Sequence, residues 1–534
     1  MVSNQGPARP AGAFGPIAGA LLVLGALYAF VAFRIARLTQ GHLVYPLDDA
    51  YIHMAIAKNL ALHGVWGVQA GTFSASSSSP LWTLLLAGWF RAAGVSDAAP
   101  LLMNTAIAAA CVVALGLVLR SEGFTGLPLF AVLLSTTLLA PVVPMAWLGM
   151  EHSLHILLTV LMAWQTSVVV RRYSVGALMM LCVVAALMVA ARYEGLFVVA
   201  GGCCVLMLQR RLVAAGTLAL AGAAPLIVVG AWNVSHGWFL LPASILMKQT
   251  VVGAGTAPFL SSALGNLTRG EVPAAFAALL VGAIVLGVYE ARSSGISRVH
   301  PLLIVFVVAA LLHTLLARFG YLWRYESYLM VLGALATATA SVHALGAMRR
   351  SSGEIVLALS LAAVFIFGSR ALASNAVVAN TAGHIYRQQY QVARFTGQYY
   401  DGRPIALNDI GNVSYYTRAQ VCDLMGLGWL EMARLRRSGA WDRSHINNLL
   451  QQNHADIAVI YDAWFQGDRA FQRDWLRVGQ WVTDVEDAPS EGTVTFYAAN
   501  PDAAAALKAA LIDFNRTLPP AVSAGIDDSQ VSNR

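Results

Sequence analysis

Charged side chains are scarce in this sequence: Asp, Glu, Lys and Arg account for 11% of its 534 residues. A typical soluble domain carries roughly 25%. Together with 58% hydrophobic residues and a mean hydropathy of +0.63, this scarcity excludes a disordered chain, an ordinary nucleic-acid-binding domain and almost any soluble globular protein. The composition is typical of a protein that crosses a membrane many times.

Cysteine is also rare, with five residues in the chain. Four of them lie in apolar runs, where cysteine usually acts as a small buried hydrophobic residue, and Cys422 alone lies in a polar region. One polar thiol cannot form an intramolecular disulfide, and no spacing matches a zinc site. The sequence therefore predicts neither a disulfide framework nor a cysteine-bound metal.

Long apolar runs predict eleven membrane-spanning helices of about 20 residues each. The first run is too long for the core of a signal peptide, and no small-residue cleavage site follows it, so we expect it to remain as an anchor. The predicted spans are 12–33, 100–119, 126–144, 153–170, 174–191, 195–209, 212–232, 272–291, 300–317, 328–347 and 354–370.

Arginine residues cluster in the short loops on one side of these spans. This bias follows the positive-inside rule and places the N-terminus in the cytoplasm. An odd number of spans then places the chain after residue 370 outside, and the net charge of +7 is mainly a topology signal. The inner loops contain Arg120, Arg171 with Arg172, Arg210 with Arg211, Arg292 with Arg298, and Arg349 with Arg350.

The first outer loop, residues 34–99, contains three distinct segments. Asp49–His63 places apolar side chains four residues apart, which predicts an amphipathic helix at the outer surface. Leu81–Phe90 is apolar but too short to cross, which predicts a re-entrant or interfacial helix. Between them, the composition of Ser74–Ser79 favours a flexible linker.

The last third of the chain becomes polar and alternates short strand-like runs with helical ones. This alternation predicts a small α/β domain on the outer face. We expect a membrane domain at 1–370, the α/β domain at 371–518 and a disordered tail at 519–534. The predicted strands are Ile405–Asn408, Ile457–Tyr461 and Val494–Ala498, and the predicted helices are Gly428–Ser438, His445–Asn453 and Asp502–Phe514.

Ionisable residues are almost absent from the span centres, where they would mark a transport pathway. They lie instead at the outer ends of spans and in outer loops, so that six separate segments deliver them to one face. This arrangement predicts a polar site at the outer membrane surface rather than a channel. The set comprises Asp48, Asp49, Glu151, Arg192, Glu194, Lys248, Arg318, Arg324 and Glu326.

Asp48 and Asp49 stand at the predicted start of a helix. One explanation is capping, since Asp at an N-cap accepts backbone N–H groups. The other is general-base catalysis: adjacent residues point to different faces, so one carboxylate faces the reacting group while the other orients it or binds substrate. A divalent ion held by the pair is the weaker alternative.

Three cations accompany this carboxylate pair: Lys248, Arg192 and Arg324. Each alone is explained by a side chain that snorkels to the interface, and Arg192 with Glu194 is explained by an ion pair that closes a tight turn. On the same side as two carboxylates, the three cations together indicate an anionic phosphate ligand.

Two further polar groups have both a functional and an ordinary explanation. Glu151 with His152 and His155 contains metal-ligand residue types, but the HExxH spacing is missing, so interfacial polar residues are favoured. Asp409 and Asp423 can bind an acceptor or a metal, but both stand in ordinary turn sequences, which we favour.

Seven short motifs occur in a fixed order, and together they resemble those of GT-C glycosyltransferases. The nearest resemblance is to the mycobacterial terminal β-arabinofuranosyltransferase branch and its uncharacterised bacterial relatives, over about residues 40–430. Ser79, Tyr193 and Ala243 replace the usual family residues, so the resemblance does not specify the sugar. The motifs are Leu47-Asp48-Asp49-Ala50-Tyr51-Ile52-His53, Ser79-Pro80-Leu81-Trp82-Thr83, Gly149-Met150-Glu151, Arg192-Tyr193-Glu194-Gly195, Leu241-Pro242-Ala243-Ser244 followed by Lys248, Asn408-Asp409-Ile410-Gly411 and Asp423-Leu424-Met425-Gly426-Leu427.

The resemblance implies an enzyme of the bacterial inner membrane that moves a hexosyl or pentosyl group, usually with inversion. The donor would be a polyprenyl-phosphate sugar, and the acceptor a glycan or glycolipid at the outer face. Asp48 would be the base with Asp49 in support, and the donor phosphate would lie near Lys248, Arg192 and Arg324. No cofactor is certain, and no nucleic acid is expected. The implied substrate-binding residues are Tyr51, His53, Glu151, Glu194 and Glu326.

Two other functions remain open from the sequence. A flippase or transporter of lipid-linked sugars needs a pathway with polar groups near the membrane midplane, and such groups are scarce here. A non-catalytic protein of envelope assembly would use the α/β domain for binding.

Overall fold

The computed structural model describes residues 14–249, 274–346, 352–483 and 492–527. Helices dominate from Gly15 to Arg387. They are α1 (Gly15–Leu38), α2 (Asp48–His63), α3 (Pro80–Ala93), α4 (Ala99–Ser121), α5 (Gly126–Leu139), α6 (Val142–Trp147), α7 (His152–Arg171), α8 (Val175–Ala191), α9 (Gly195–Leu208), α10 (Leu212–Ser235), α11 (Ala243–Gln249), α12 (Ala274–Ser294), α13 (Pro301–Leu316), α14 (Ser327–Gly346) and α15 (Ser352–Arg387).

Each predicted span overlaps one of these helices. Five helices are long and apolar enough to cross a membrane, namely α1, α4, α7, α10 and α12. Shorter apolar helices include α5, α8, α9, α13 and the Ser327–His343 part of α14. This set fits a polytopic membrane protein, while the count of eleven spans stays a prediction. Residues 12–13, 272–273, 347, 349 and 350, which the span and loop predictions include, lie outside the described residues.

Two predicted spans differ markedly from the helices that the structure contains. The span predicted at 126–144 is divided into α5 and α6 beside Pro141, which has no backbone N–H to continue a helix. The span predicted at 354–370 continues as α15 to Arg387, past the predicted domain boundary. Its continuation buries Val378, Ala382 and Tyr386, which are spaced four residues apart and form one apolar face.

A six-stranded sheet follows α15 in the chain, with the strand order β2-β1-β3-β5-β4-β6. Strands β2, β1 and β3 are parallel, and the other neighbours pair antiparallel. The strands are β1 (Pro404–Leu407), β2 (Gln420–Asp423), β3 (Ile457–Ile460), β4 (Leu476–Thr483), β5 (Thr493–Ala498) and β6 (Val522–Ile526), and the helices are α16 (Gln389–Tyr399), α17 (Gly411–Tyr416), α18 (Leu430–Ser438), α19 (Arg443–Gln452) and α20 (Pro501–Phe514).

The sheet contains three strands that the sequence analysis missed, β2, β4 and β6. The last of these corrects the predicted disordered tail, because Val522–Ile526 pairs antiparallel with β4 at the sheet edge. Backbone pairing stabilises this segment although its sequence offers few strand-forming side chains. Residues 528–534 of the predicted tail lie outside the described residues.

Helix α2 lies between the helical bundle and the sheet. Its residues Tyr51 and Met54 belong to the bundle core, whereas Ile52 and Ile56 belong to the core beneath the sheet. The predicted helix is confirmed, but it is buried on opposite sides instead of lying at the outer surface. The four-residue spacing of apolar side chains was real, but it faces a second protein core instead of lipid.

The serine-rich segment Ser74–Ser79 is ordered, which corrects the prediction of a flexible linker. The Ser76 hydroxyl donates to the carbonyl of Leu427 at 2.7 Å, and the Ser79 hydroxyl accepts the N–H of Trp82 at the start of α3. Ser74 and Ser79 are 1% and 0% exposed. Composition alone cannot distinguish a linker from a segment whose hydroxyls are all used inside the fold.

Candidate functional site

Asp48 and Asp49 open α2 and meet different partners. Asp48 Oδ2 accepts the N–H of Gly411 at 2.6 Å. Asp48 Oδ1 accepts the main-chain N–H and the side-chain Nδ2 of Asn412, both at 2.9 Å. Burial raises the pKa of Asp48, and these hydrogen bonds partly offset that effect. Asp48 thus ties the first turn of α2 to the first turn of α17.

Gly411 permits this close contact because it has no Cβ. A Cβ built at this position would lie 2.1 Å from the main-chain oxygen of Asp48 and 2.8 Å from Asp48 Oδ2. Any larger residue would therefore push α17 away from the carboxylate. This explains on physical grounds why the Asn408-Asp409-Ile410-Gly411 motif ends in glycine.

Asp49 contacts a different group from Asp48 and is partly exposed. Its Oδ2 lies 3.0 Å from Arg324 Nη2, and 36% of its side chain is exposed. The guanidinium of Arg324 is itself only 3% exposed. The site therefore contains a partly exposed carboxylate, Asp49, paired with a buried cation, Arg324.

Arg324 is held by a strained turn and by aromatic rings. Gly320, Tyr321, Leu322 and Trp323 all have positive φ angles, between 48° and 79°. Three of these residues carry a Cβ, and such conformations cost of order 1–3 kcal/mol each and cluster at functional sites. The Arg324 guanidinium lies over the rings of Tyr321 and Tyr325, 4.6 Å and 4.9 Å from their centroids.

Arg192 forms the second charged group, in the short segment between α8 and α9. Its Nη1 donates to Glu151 Oε1 at 2.6 Å, and its Nε and Nη2 donate to the two carboxylate oxygens of Glu194 at 3.2 Å and 2.7 Å. Burial acts to raise the pKa of Glu194, but the neighbouring guanidinium outweighs it and lowers that pKa to about 2. Two carboxylates thus occupy the donors of Arg192.

His53 connects α2 to this charged group. Its Nδ1 forms a hydrogen bond with Thr83 Oγ1 at 2.9 Å, and its Nε2 lies 3.3 Å from Ser78 Oγ and 3.6 Å from Glu151 Oε2. Burial lowers the pKa of His53, so the ring is mainly neutral at pH 7. The ordered serine segment therefore helps to fix the ring of His53 beside Glu151.

Glu326 is a buried acid two residues after Arg324. Its Oε2 accepts the N–H of Gly320 at 2.9 Å, whereas Oε1 is buried without a hydrogen-bond partner. Burial raises the pKa of Glu326 to about 7. Glu326 is therefore tied to the strained turn that carries Arg324, while burial favours its protonated form.

Most of the predicted substrate-binding side chains are buried. Tyr51, His53, Glu151 and Glu326 are at most 2% exposed, whereas the Glu194 side chain is 22% exposed. The Tyr51 hydroxyl accepts the N–H of Tyr45 at 3.0 Å, inside an aromatic cluster. In this structure these groups support the site, and direct substrate contact stays a prediction for them.

The two remaining predicted outer cations are Lys248 and Arg318. Lys248 belongs to α11, but its side chain lies outside the described part of the chain. Arg318 follows α13, and its carbonyl lies 3.0 Å from His313 Nε2. The structure thus brings Asp49, Arg324, Arg192 and their partners to one end of the bundle, without describing how Lys248 relates to them.

Asp423 and Asp409, both in the C-terminal region, have different kinds of hydrogen-bond partner. Asp423 accepts the N–H groups of Met425 and Gly428 at 2.8 Å and 2.6 Å, as expected for a turn. Asp409 instead accepts Gln389 Nε2 at 3.0 Å. Burial and then the charge of Asp48 raise the pKa of Asp409 to about 8, so Asp409 belongs to the acidic group around α2.

Sequence reasoning missed Asp97, which joins the bundle to the sheet. Its carboxylate accepts the hydroxyls of Tyr415 and Tyr416 at 2.8 Å and 2.9 Å. Its carbonyl accepts the hydroxyl of Tyr45 at 2.6 Å. The adjacent tyrosine pair in the polar region was the one available signal, since buried tyrosine hydroxyls need hydrogen-bond partners.

A divalent ion does not fit the Asp48–Asp49 pair as it is arranged here. Asp48 already accepts three N–H groups, and Asp49 pairs with Arg324. The His152–His155 pair is buried at the start of α7, and within the described ranges it joins no group of three potential ligands. No step of the proposed reaction is therefore assigned to a metal.

The chain is similar in fold to a solved structure of ArnT at low sequence identity. The structure of ArnT from Cupriavidus metallidurans bound to undecaprenyl phosphate is 13% identical, with a TM-score of 0.50 over 90% of this chain and 98% of that chain. The same protein in the apo state is 12% identical, with a TM-score of 0.49 over 90% and 98% of the two chains. An oligosaccharyltransferase from Archaeoglobus fulgidus, in complex with Zn and sulfate, is 11% identical, with a TM-score of 0.45 over 91% and 76%.

Sequence comparisons add one short match. The family described as a domain of unknown function (DUF8728) matches residues 379–497, which include most of the sheet. No curated protein matches the sequence. The predicted relation to the arabinofuranosyltransferase branch therefore stays a prediction.

Proposed function

We propose that this protein is a GT-C-type glycosyltransferase that transfers a sugar from a polyprenyl-phosphate donor to a hydroxyl of a cell-envelope acceptor. The observation that carries the proposal is the pairing of a partly exposed acid, Asp49, with a buried arginine, Arg324, at one end of an apolar bundle. The shared fold with ArnT supports it. The orientation of this end toward the extracytoplasmic side rests on the arginine bias of the loops.

The general base in this proposal is Asp49 rather than Asp48. A base must accept the proton of the acceptor hydroxyl at hydrogen-bond distance. Asp48 already accepts three donors from α17, whereas 36% of the Asp49 side chain is exposed to solvent. This assignment departs from the family pattern, which favours the first acid of the pair. Asp48 then serves as a positioning residue for α2.

The reaction makes one bond and breaks one. The acceptor oxygen attacks the anomeric carbon as Asp49 takes its proton, a step worth roughly 10²–10⁴-fold in rate. The bond between the anomeric carbon and the phosphate oxygen breaks with its electrons on oxygen, so polyprenyl phosphate leaves. Attack opposite the leaving group inverts the anomeric configuration.

Arg324 is the favoured cation for the leaving phosphate. Two carboxylates, Glu151 and Glu194, neutralise the charge of Arg192. Arg324 instead donates to the neutral side chains of Met150 and Tyr325. Arg324 has one carboxylate partner, Asp49, and a buried Nε without a hydrogen-bond partner. A buried guanidinium near developing negative charge stabilises the transition state more than one in water does.

The test is transfer by the purified full-length protein, reconstituted in lipid, against a panel of polyprenyl-phosphate sugars with mass analysis of products. Asp49→Asn should abolish transfer, and Asp48→Asn should reduce it with loss of stability. Asp468→Asn, at an exposed position of the sheet region, is the matched control and should retain full activity. Transfer by the Asp48→Asn/Asp49→Asn double variant would contradict the proposal, as would lipid transport without any sugar transfer.

A further inference from the structure

A second group of polar side chains gathers at the other end of the bundle. Glu122 follows α4, His300 precedes α13 and His343 lies near the end of α14. One carboxylate oxygen and one ring nitrogen from each histidine lie within 4.8 Å of one another. These residue types are the ligands that Zn²⁺ accepts besides cysteine.

The helices themselves show that this group is separate from the candidate active site. Helix α7 begins beside Glu151 and ends at Arg171, which pairs with Glu122. It contains 20 residues, and at 1.5 Å per residue that is about 30 Å. Helix α14 likewise begins after Glu326 and carries His343 in its last turn. The two clusters therefore occupy opposite ends of the same helices.

The geometry brings the three side chains into one small volume. His343 Nε2 lies 3.3 Å from Glu122 Oε2. The rings of His300 and His343 have centroids 5.4 Å apart and planes inclined by 35°. The main-chain N–H of His300 donates to Glu290 Oε2 at 2.6 Å, which fixes the backbone that carries the ring.

His300 supplies an independent sign that a ligand belongs here. The residue is 9% exposed, and its Nδ1 is buried without a hydrogen-bond partner. A buried polar atom without a partner is costly, so such an atom calls for a missing water or ion. A neutral imidazole nitrogen is a common metal ligand.

Arg171 fixes the orientation of the Glu122 carboxylate, and the exposed side chain of His343 gives an ion access to it. Arg171 pairs with Glu122 Oε1, which leaves Oε2 on the side of the histidines and fixes the carboxylate as outer partners of metal ligands do. The His343 side chain is 54% exposed, whereas that of Glu122 is 3% exposed. An ion can therefore enter past His343 and reach a buried carboxylate.

We propose that Glu122, His300 and His343 bind one Zn²⁺ ion at this end of the bundle. Two imidazoles and one carboxylate leave a fourth position for water. The ion would join the ends of α4, α13 and α14, and its binding would stabilise the folded bundle by mass action. The proposal does not depend on the proposed transferase activity.

The test uses full-length protein without an oligohistidine tag, stripped with a chelator and titrated with Zn²⁺ in detergent. The wild type should bind one ion in this site, with a rise in melting temperature, and Co²⁺ in its place should give visible absorption of a low-coordinate site. His343→Gln and Glu122→Gln should each weaken binding at least about tenfold, since even outer-partner changes cost 10–100-fold. His343 is half exposed, so its replacement leaves the packing intact.

His445→Gln is the matched control, because His445 lies 2.9 Å from Asp442 on the surface, and among the described residues this pair belongs to no group of three potential ligands. It should bind Zn²⁺ as the wild type does. The proposal is overturned if the wild type binds no ion, if both site variants retain wild-type affinity, or if the control loses as much affinity as they do.

Discussion

Asp48 and Asp49 are neighbours in the chain, yet one is committed to α17 and the other to Arg324. The sequence predicted that both acids belong to a site, because a carboxylate pair at a helix start combines capping and catalytic features. It could not divide the roles between them. That division depends on Gly411 and Asn412, 363 and 364 residues away from Asp48, and no local pattern encodes such a contact.

Arg324→Lys tests whether planar geometry matters beyond charge. Lysine keeps the positive charge but cannot lie flat between Tyr321 and Tyr325 while it pairs with Asp49. We expect kcat/KM for sugar transfer to fall by at least about tenfold. Arg418→Lys is the control, since the Arg418 side chain is 88% exposed and pairs with Asp401. Equal activity of the two variants would argue against a role for Arg324 in the reaction.

Glu326→Gln tests the buried acid through the pH dependence of stability. Burial raises the pKa of Glu326 from 4.5 to about 7, so the folded protein holds this proton more tightly than the unfolded chain does. Its contribution is fully present below about pH 4.5 and is lost as the pH rises through 7, by up to about 3 kcal/mol.

We therefore expect the melting temperature of the wild type to fall between pH 5 and pH 8 relative to that of the Glu326→Gln variant. The exposed Glu431→Gln variant should follow the wild type. Parallel curves for wild type and Glu326→Gln would show that Glu326 does not titrate in this range.

At the scale of elements, the contact between α2 and α17 decides how the site is assembled. Helix α2 has one face in each of two cores, so its position depends on both. The sequence predicted the helix itself, since its apolar spacing is local. It could not indicate that protein rather than lipid covers the second face, because the covering strands lie hundreds of residues away.

Gly411→Ala tests this contact. The added Cβ would meet the main-chain oxygen of Asp48 at 2.1 Å, so α17 must move, at a cost typical of overpacking, about 1–3 kcal/mol. We expect a lower melting temperature and lower activity, with faster hydrogen exchange across Gly411–Tyr416. Gly216→Ala is the control, because its Cβ would meet nothing within 4 Å. A Gly411→Ala variant as stable and active as this control would contradict the contact.

The strands show which elements local sequence can predict. Strands β1, β3 and β5 were predicted because they are apolar runs in the middle of the sheet, where both faces are covered. Strand β6 was missed because its Val522–Ile526 sequence contains small and polar residues and depends on pairing with β4. The partner strand β4 supplies the main-chain hydrogen bonds that hold β6 at the edge. The sequence of β6 alone therefore cannot predict this pairing.

At the scale of the whole molecule, charge is sorted between the two ends of the helices. The sequence predicted that Asp49, Arg192 and Arg324 share one end, since the spans alternate in direction. The structure brings these residues to one end and Glu122 with Arg171 to the other. Which end faces the cytoplasm stays a prediction from the arginine bias.

Cysteine labelling tests that orientation. In a variant without the five native cysteines, Asp468→Cys should react with a membrane-impermeant maleimide in intact spheroplasts. His343→Cys, at the other end of the bundle, should react only after the membrane is opened, because the reagent cannot reach the cytoplasm. The reverse pattern of labelling would show that the predicted topology is inverted.

Helix α2 is synthesised long before α17 and the sheet, which it contacts in the folded protein. Its Asp48 is made 363 residues before the Gly411 that it binds, which at 5–20 residues per second is a delay of roughly 20–70 s. Over that time the Ile52 and Ile56 face has no sheet to cover it. Assembly of the site is therefore among the last events of biosynthesis, and a chain that stops before the sheet leaves the ribosome with an uncovered apolar helix.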